Sequence, residues 1–188
     1  MKDTLIFRPA DPQDLERLAL LVNSAYRGDT SRVGWTTEAD FLDGQRTDKD
    51  SLQELISNNQ VLLLAESQDS TLGLLGCVYL KKKSEHVAYL GMLTVFPKLQ
   101  AQGLGRQILK AGEVFAQEQW LAKKMEMTVV SIRQELISWY ERRGYLKTTK
   151  TEPFPYGDSR FGIPKRQDLE FIVLEKFLEV SSEKTNEE

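Results

Sequence analysis

Hydrophobic and polar positions change their spacing several times along the chain, and each change marks a predicted element. Alternating or continuous apolar runs predict β-strands over 5–8, 61–66, 72–80, 88–96, 124–130, 145–151 and 169–177. Apolar residues three or four positions apart predict helices over 12–27, 51–58, 104–119 and 132–142. The order β-α-(α)-β-β-β-α-β-α-β-β indicates an α/β fold of mixed α+β type: a central mixed, mostly antiparallel twisted sheet with helices on both faces.

Capping residues set the predicted helix ends. Asp11 is the expected N-cap of the first helix, and Gly28 is expected to end it. Ser131 and Gln134 have the spacing of a capping box, which predicts the start of the last helix. Gly144 stands where a helix C-terminus needs a left-handed residue.

Two long loops interrupt the regular elements, over 29–50 and 152–167. Loops of this length in a compact domain are either functional or disordered, and large aromatic rings argue against disorder because they need a surface to cover. One helical turn is expected at 38–42 in the first loop. We expect the loops to choose the substrate, through Trp35 and Arg46 in the first and Tyr156 and Arg160 in the second. The aromatic residues fit equally well as a cover for the sheet edge.

Composition limits the function classes. With 188 residues, 40% of them apolar and 28% charged, a single domain over 1–178 is expected, followed by a disordered acidic tail over 179–188. A net charge of −3 gives no electrostatic footprint for nucleic acid. No apolar run approaches the ~20 residues that span a membrane, and no signal peptide is visible. A single cysteine fits a reducing, cytoplasmic location.

A glycine-bearing loop joins the strand over 88–96 to the next helix, in the order Gly103-Leu104-Gly105. Amides in the first turn of a helix have no partners within it, so such a junction suits a phosphate-bearing ligand. The loop lacks the pattern GxxxxGK[ST] of a P-loop, and Ile108 stands where a dinucleotide fingerprint needs its third glycine. Taken alone, the two glycines fit a tight turn equally well.

Two segments together resemble a known family. LTVFP at 93–97 followed by Q-x-x-G-x-G at 100–105 resembles the acyl-CoA-binding motif of the GNAT superfamily of N-acetyltransferases. WYERRGY at 139–145 is similar to that family's next motif. The resemblance covers nearly the whole chain and implies a splay between the two central parallel strands. It also implies a bacterial-type N-acetyltransferase that uses acetyl-CoA and whose acceptor is unassigned.

The resemblance implies which residues bind the cofactor. Backbone amides of the loop would hold the pyrophosphate, and the strand edge would pair with the pantetheine arm. Arg133 stands where the family often has an asparagine, so it either replaces the asparagine's contact or faces solvent. The expected cofactor-binding residues are Leu93, Thr94, Val95, Gln100, Gln102, Gly103, Leu104, Gly105, Arg106 and Arg133.

Tyr140 is the expected general acid. Attack of an amine on a thioester expels a thiolate, whose conjugate acid has a pKa of about 8.5, and a phenol with a pKa near 10 is protonated at neutral pH and able to donate. The base that takes the amine's proton is left open among His86, Glu85, Glu38, Asp40 and a water chain.

The sequence therefore predicts an acyltransferase that moves an acetyl group from acetyl-CoA to a primary amine of a small molecule or peptide by direct attack. No metal and no covalent enzyme intermediate are expected, and Cys77 is expected to be buried and inert. Two alternatives stay open: a non-catalytic acyl-CoA-binding regulatory module and a nucleotide-binding redox protein. A homodimer is an option, because dimers are common among the relatives.

Overall fold

The alternation of strands and helices is borne out in the computed structural model, which describes residues 5–68 and 73–179. The predicted turn at 68–70 and the predicted tail therefore lie mostly outside the described residues. The elements in chain order are β1 (Leu5–Pro9), α1 (Leu15–Tyr26), α2 (Gly28–Ser31), β2 (Leu42–Asp43), α3 (Lys49–Ser57), β3 (Val61–Ser67), β4 (Leu74–Lys82), β5 (Val87–Val95), α4 (Leu104–Trp120), β6 (Lys124–Val130), α5 (Gln134–Glu141), β7 (Leu146–Pro153), β8 (Ile163–Pro164) and β9 (Glu170–Phe177).

Seven strands form the central sheet, in the order β1-β3-β4-β5-β6-β9-β7. Neighbouring strands run antiparallel except β5 and β6, which are parallel. The short strands β2 and β8 pair separately and tie the two long loops together. The predicted mixed, mostly antiparallel sheet is confirmed.

The central parallel pair separates after its first residues, as the resemblance implied. Pairing of β5 with β6 covers only Val87, Ala88 and Tyr89, although both strands continue beyond that point. A β-bulge lies further along β5, where Met92 and Leu93 together oppose one residue of β4. A bulge bends its strand and increases the local twist, which accords with the separation of β5 from β6. A crevice opens between the two strands.

The sheet is covered on both faces, and the alternation along β3 shows how. Leu63 and Ala65 belong to the apolar cluster that includes residues of α4 and α5. Leu62 and Leu64 belong to a second cluster, with residues of α1 and α3. Successive strand residues point to opposite faces, so a strand buried on both sides reads as a continuous apolar run.

The predicted start of the first helix is wrong. The Asp11 side chain accepts a hydrogen bond from the amide of Gln13, and residues 12–14 form a turn. Helix α1 begins only after Asp14, whose carboxylate accepts from the Asp11 amide at 2.9 Å. The predicted end of the helix is confirmed: α1 stops at Tyr26 with Arg27 as its C-cap, and Gly28, with φ +66°, follows it and is the first residue of the short helix α2.

The predicted capping box is also wrong. Helix α5 begins at Gln134, and its N-cap is Arg133 without a side-chain cap. The Ser131 amide donates to the carbonyl of Glu170, and the Gln134 side chain donates to the carbonyl of Ser131. Ser131 therefore continues the pairing of β6 with β9. The helical turn predicted at 38–42 is confirmed, because the amide of Leu42 donates to the carbonyl of Glu38 at 2.9 Å, and the turn leads into β2.

Candidate active site

The junction between β5 and α4 has the geometry of an anion site. Gly103 is the N-cap of α4 with φ +87°, a left-handed conformation that glycine adopts without strain. The amide of Gln107 donates back to the Gly103 carbonyl at 3.3 Å, and the amides before it lie in the part of a first turn that has no intrahelical acceptor. A Cβ on Gly103 would meet nothing within 4 Å, whereas one on Gly105 would lie 3.5 Å from both Trp139 and Val95.

A cavity of about 350 Å³ opens at this junction, and we refer to it as the loop cavity. It lies between the end of β5, the glycine loop, α5 and the segment Trp35–Thr36, and its lining includes Val95, Gly103, Arg106 and Tyr140. The glycine loop and Tyr140 therefore face one space. A larger cavity of about 1030 Å³ lies beside α4 and shares only Arg106 and Arg143 with the loop cavity.

A second cavity, of about 260 Å³, fills the crevice between β5 and β6, and we refer to it as the splay cavity. Its walls include residues 89–93 of β5 and 127–130 of β6. Four residues line both the loop cavity and the splay cavity: Tyr26, Leu93, Leu136 and Tyr140. The two spaces therefore adjoin at these four residues, one of which is Tyr140.

Packing holds Tyr140 in place. Its residue is 6% exposed, and its ring makes edge-to-face contacts with Trp139, at 5.0 Å between centroids, and Tyr145, at 5.7 Å. Burial raises the pKa of the Tyr140 hydroxyl far above its usual value, because a phenolate would lose its solvation there. The hydroxyl is therefore protonated across the neutral range.

Tyr26 is a site residue that the sequence reasoning missed. Its hydroxyl donates to the Leu93 carbonyl at 2.6 Å, which joins α1 to the bulge of β5. Burial raises the pKa of Tyr26 to about 12. In the sequence it continues the apolar face of the first helix, and its spacing gives no signal for a second role.

Gln100 was expected to bind the cofactor, but the protein itself engages its amide group. The side-chain oxygen accepts from the Trp35 amide at 2.9 Å, and the nitrogen donates to the Thr36 hydroxyl at 2.8 Å and the Val95 carbonyl at 3.2 Å. Gln100 lines the loop cavity and fixes one wall of it.

Arg133 does not face solvent, since it is 4% exposed. Its guanidinium pairs with Glu135 at 2.5 Å and donates to the carbonyls of Thr36 and Trp35 at 3.3 and 3.4 Å. Gln100 and Arg133 thus hold the same two residues, Trp35 and Thr36. Gln100 binds the Trp35 amide and the Thr36 hydroxyl, and Arg133 binds the carbonyls of both residues. This excludes the solvent-facing alternative for Arg133.

Two of the four predicted acceptor residues lie at the cavities. Trp35 lines the loop cavity, with its ring centroid 6.3 Å from that of Trp139. Arg46 lines the splay cavity, with its guanidinium carbon 5.8 Å from the centroid of the Tyr26 ring.

The other two predicted acceptor residues line neither cavity. The Tyr156 hydroxyl accepts from the Leu169 amide at 2.7 Å, so it closes its own loop. Arg160 pairs with Asp158 at 2.6 Å and has a side chain that is 71% exposed. From this loop, Phe161 reaches the splay cavity instead.

One of the four predicted bases lies at the site. Glu38 lines the splay cavity and is paired with Arg27. Asp40 is exposed and pairs with Arg32 at 2.6 Å. Glu85 and His86 precede β5, about 20 Å along the strand from the bulge. Their placement excludes them as direct partners of a group bound near Tyr140.

Arg143 is a second site residue that the sequence reasoning missed. It lines the loop cavity, and its guanidinium carbon lies 3.5 Å from the centroid of the Trp139 ring. Its Nη1 donates to the Trp139 carbonyl at 2.6 Å, while its buried Nε has no hydrogen-bond partner. Burial lowers the pKa of Arg143. In the sequence Arg143 stands at the end of the last predicted helix, where a cation is ordinary, so its position gives no signal for this contact.

The described residues contain neither a metal-binding cluster nor a membrane-spanning helix. No group of three or more His, Cys, Asp or Glu residues within 5–68 and 73–179 is arranged to hold a metal. Over the same ranges, no helix has the length and apolar content needed to cross a membrane.

Known proteins agree with this architecture. The model of the acetyltransferase (GNAT) family matches residues 28–145. YncA of Salmonella typhimurium with acetyl-CoA superposes with a TM-score of 0.64 at 17% identity, covering 95% of this chain and 96% of its own. A GNAT acetyltransferase of Elizabethkingia anophelis with acetyl-CoA bound gives 0.60 at 18% identity, covering 94% and 100%. One from Streptococcus pneumoniae gives 0.64 at 20%, covering 93% and 100%. No curated protein matches the sequence.

The chain belongs to the GNAT acetyltransferase family, because the family model covers more than half of it. It is an N-acetyltransferase, and its reaction class is transfer of an acetyl group from acetyl-CoA to an amine. The resemblance seen in the two sequence motifs is confirmed.

Proposed function

We propose that this enzyme acetylates a primary amine of a small molecule or peptide by direct attack, with Tyr140 as the general acid. The observation that carries the proposal is the position of Tyr140 where the loop cavity and the splay cavity meet. A donor in the first cavity and an acceptor in the second would have their reacting atoms beside one phenol.

The loop cavity fits the donor. Open space beside Gly103 and the outward amides of residues 102–106 suit a pyrophosphate, and Arg106 and Arg143 add positive charge to the same wall. At 93–95 no residue of β6 pairs with β5, which leaves room beside β5 for the pantetheine arm. Gln100 and Arg133 contribute by holding the wall formed by Trp35 and Thr36. When bound, acetyl-CoA supplies the thioester that the amine attacks.

The chain's own residues then move two protons. Tyr140 is the proposed donor of a proton to the departing thiolate, since burial keeps its hydroxyl protonated at neutral pH, and the phenolate left behind takes up a proton from solvent before the next turnover. Glu38 is the proposed acceptor of the amine's proton, directly or through a water, because it is the predicted base that lines the splay cavity. The reaction needs no metal, since a neutral amine is itself a nucleophile.

The proposed location is the cytoplasm, which is where a buried, reduced Cys77 fits best. Burial raises the pKa of the Cys77 thiol to about 12, which leaves little thiolate for an acyl-enzyme. A homodimer stays a prediction.

A thiol-release assay with acetyl-CoA tests the function. We expect release of free coenzyme A with at least one primary amine from a panel of amino acids, polyamines, aminoglycosides and peptide N-termini. In parallel, calorimetry measures the binding of acetyl-CoA and of NADH. Acetyl-CoA binding without thiol release from any amine would favour a regulatory acyl-CoA module, and preferential NADH binding would favour a redox protein.

A further inference from the structure

The splay cavity contains one cation whose charge the protein leaves unpaired. The charged residues that line the cavity are Glu38, Arg46, Arg133 and Glu152. Glu38 is paired with Arg27, and Arg133 with Glu135. Within residues 5–68 and 73–179, Arg46 makes no ion pair and no side-chain hydrogen bond, and its contact is the face of the Tyr26 ring. A half-buried guanidinium without an anion is therefore available to a ligand.

The backbone that carries Arg46 is fixed. The Asn23 side-chain oxygen accepts from the amides of Arg46 and Thr47, at 2.7 and 3.3 Å. The Asn23 side-chain nitrogen donates to the carbonyls of Thr47 and Ala19, at 2.8 and 3.0 Å. Three of these bonds attach the loop to α1, and the fourth, to Ala19, fixes the Asn23 side chain on the helix, so the guanidinium starts from a defined position beside the cavity.

Tyr26 connects the cation to the reacting end of the cavity. One face of its ring meets the Arg46 guanidinium, and its hydroxyl donates to the Leu93 carbonyl beside the bulge. Leu93 and Tyr140 both line the meeting place of the two cavities. A ligand anchored at Arg46 would therefore lie along one tyrosine ring, with its other end near Tyr140.

The volume of the splay cavity and its carboxylates restrict the classes of ligand that fit it. A volume of about 260 Å³ equals that of about nine waters in the liquid, which suits a molecule of amino-acid size. A polyamine would need two free carboxylates, but Glu38 is paired with Arg27, which leaves the exposed Glu152 as the one unpaired carboxylate among the described lining residues.

We propose that the acceptor is a small primary amine that also carries a carboxylate or a similar oxyanion, and that Arg46 binds this anion. Arginine presents donors in a planar fork that matches an oxyanion, and such charged hydrogen bonds are strong. The inference rests on the proposed function, since it names the acceptor class for the same site. Arg46 acts in binding and not in the chemical step.

Acid and carboxamide pairs test this inference. Amino acids are compared with their own carboxamides, together with spermidine, in the thiol-release assay and by calorimetry in the presence of coenzyme A. We expect the wild-type enzyme to prefer the acids by about tenfold to a hundredfold in kcat/KM, mainly through KM. Arg46→Met should abolish this preference, while Arg46→Lys should retain part of it. The control is Arg166→Met, because Arg166 pairs with Asp168 and lines neither cavity.

Equal use of acids and carboxamides by the wild-type enzyme would overturn the inference while leaving acetyl transfer intact. The same holds if Arg46→Met keeps the preference for acids. If no amine releases thiol, calorimetry decides separately: tighter binding of acids that is lost in Arg46→Met supports the inference and counts against catalysis. Equal binding of acids and carboxamides would overturn the inference.

Discussion

Replacing Tyr140 by phenylalanine removes one oxygen from the centre of the site and little else. The ring contacts with Trp139 and Tyr145, at 5.0 and 5.7 Å, are kept in the variant. Among the described residues the Tyr140 hydroxyl has no hydrogen-bond partner, so its loss leaves no polar group unpaired. We therefore expect the free energy of unfolding to change by less than about 1 kcal/mol.

The expected catalytic effect is much larger. A positioned general acid contributes about a hundredfold to ten-thousandfold, or about 3–5 kcal/mol of barrier. Tyr140→Phe should lower kcat by that factor with little change in acetyl-CoA affinity. Because the pKa of Tyr140 lies far above its usual value, the wild-type rate should show no loss from Tyr140 ionisation up to at least about pH 10.

Steady-state thiol release, calorimetry with acetyl-CoA and urea unfolding together provide the measurement. The matched control is Tyr145→Phe. Tyr145 is also buried, but it lines neither cavity, and its hydroxyl donates to Glu113 at 3.1 Å. The control should lose about 1–3 kcal/mol of stability and keep its kcat. An unchanged kcat in Tyr140→Phe would refute the assignment of the acid.

Two further variants test the loop and the edge of the sheet. Gly105→Val places methyl groups against Trp139 and Val95, which both lie 3.5 Å from the position of its Cβ. Calorimetry should therefore show that the Kd for acetyl-CoA is at least about tenfold higher than in the wild type. An unchanged Kd would contradict the assignment of the loop to the cofactor. Asp14→Asn weakens the pair with Arg8, at 2.7 Å, and should cost about 2 kcal/mol at pH 7 in urea unfolding. Arg8 holds the pKa of Asp14 well below its usual value, so the wild-type protein should lose this contribution as pH falls below about 4, and the variant should show the flatter acid profile. Parallel acid profiles would show that the Asp14 pKa is not depressed.

Local sequence patterns were sufficient for the elements that carry the cofactor loop. The apolar run of β5 and the two glycines predict a strand, a loop and a helix, and the structure has all three. Strand β6 matches its predicted bounds, Lys124–Val130, because its alternation continues to both ends. These features depend on residues close together in the chain, so local rules describe them well.

The structure differs from the local patterns where a contact between separate elements decides what a side chain does. Arg8 binds the carboxylate of Asp14, beside the true start of α1, and no helix rule contains that contact. Gln100 and Arg133 have the residue types of cofactor ligands, yet a segment 64 to 98 positions away uses their polar groups. The Tyr156 hydroxyl is likewise engaged by the Leu169 amide. Spacing along the chain indicates which side chains could reach a site, and the tertiary fold determines which are still free.

An initial-rate study with both substrates varied tests the central claim most directly, namely that donor and acceptor occupy two adjoining cavities and react without an enzyme-bound acetyl group. The account predicts double-reciprocal lines that intersect, because both substrates must be present together. Parallel lines, together with an acetylated enzyme seen by mass spectrometry in the absence of amine, would contradict it.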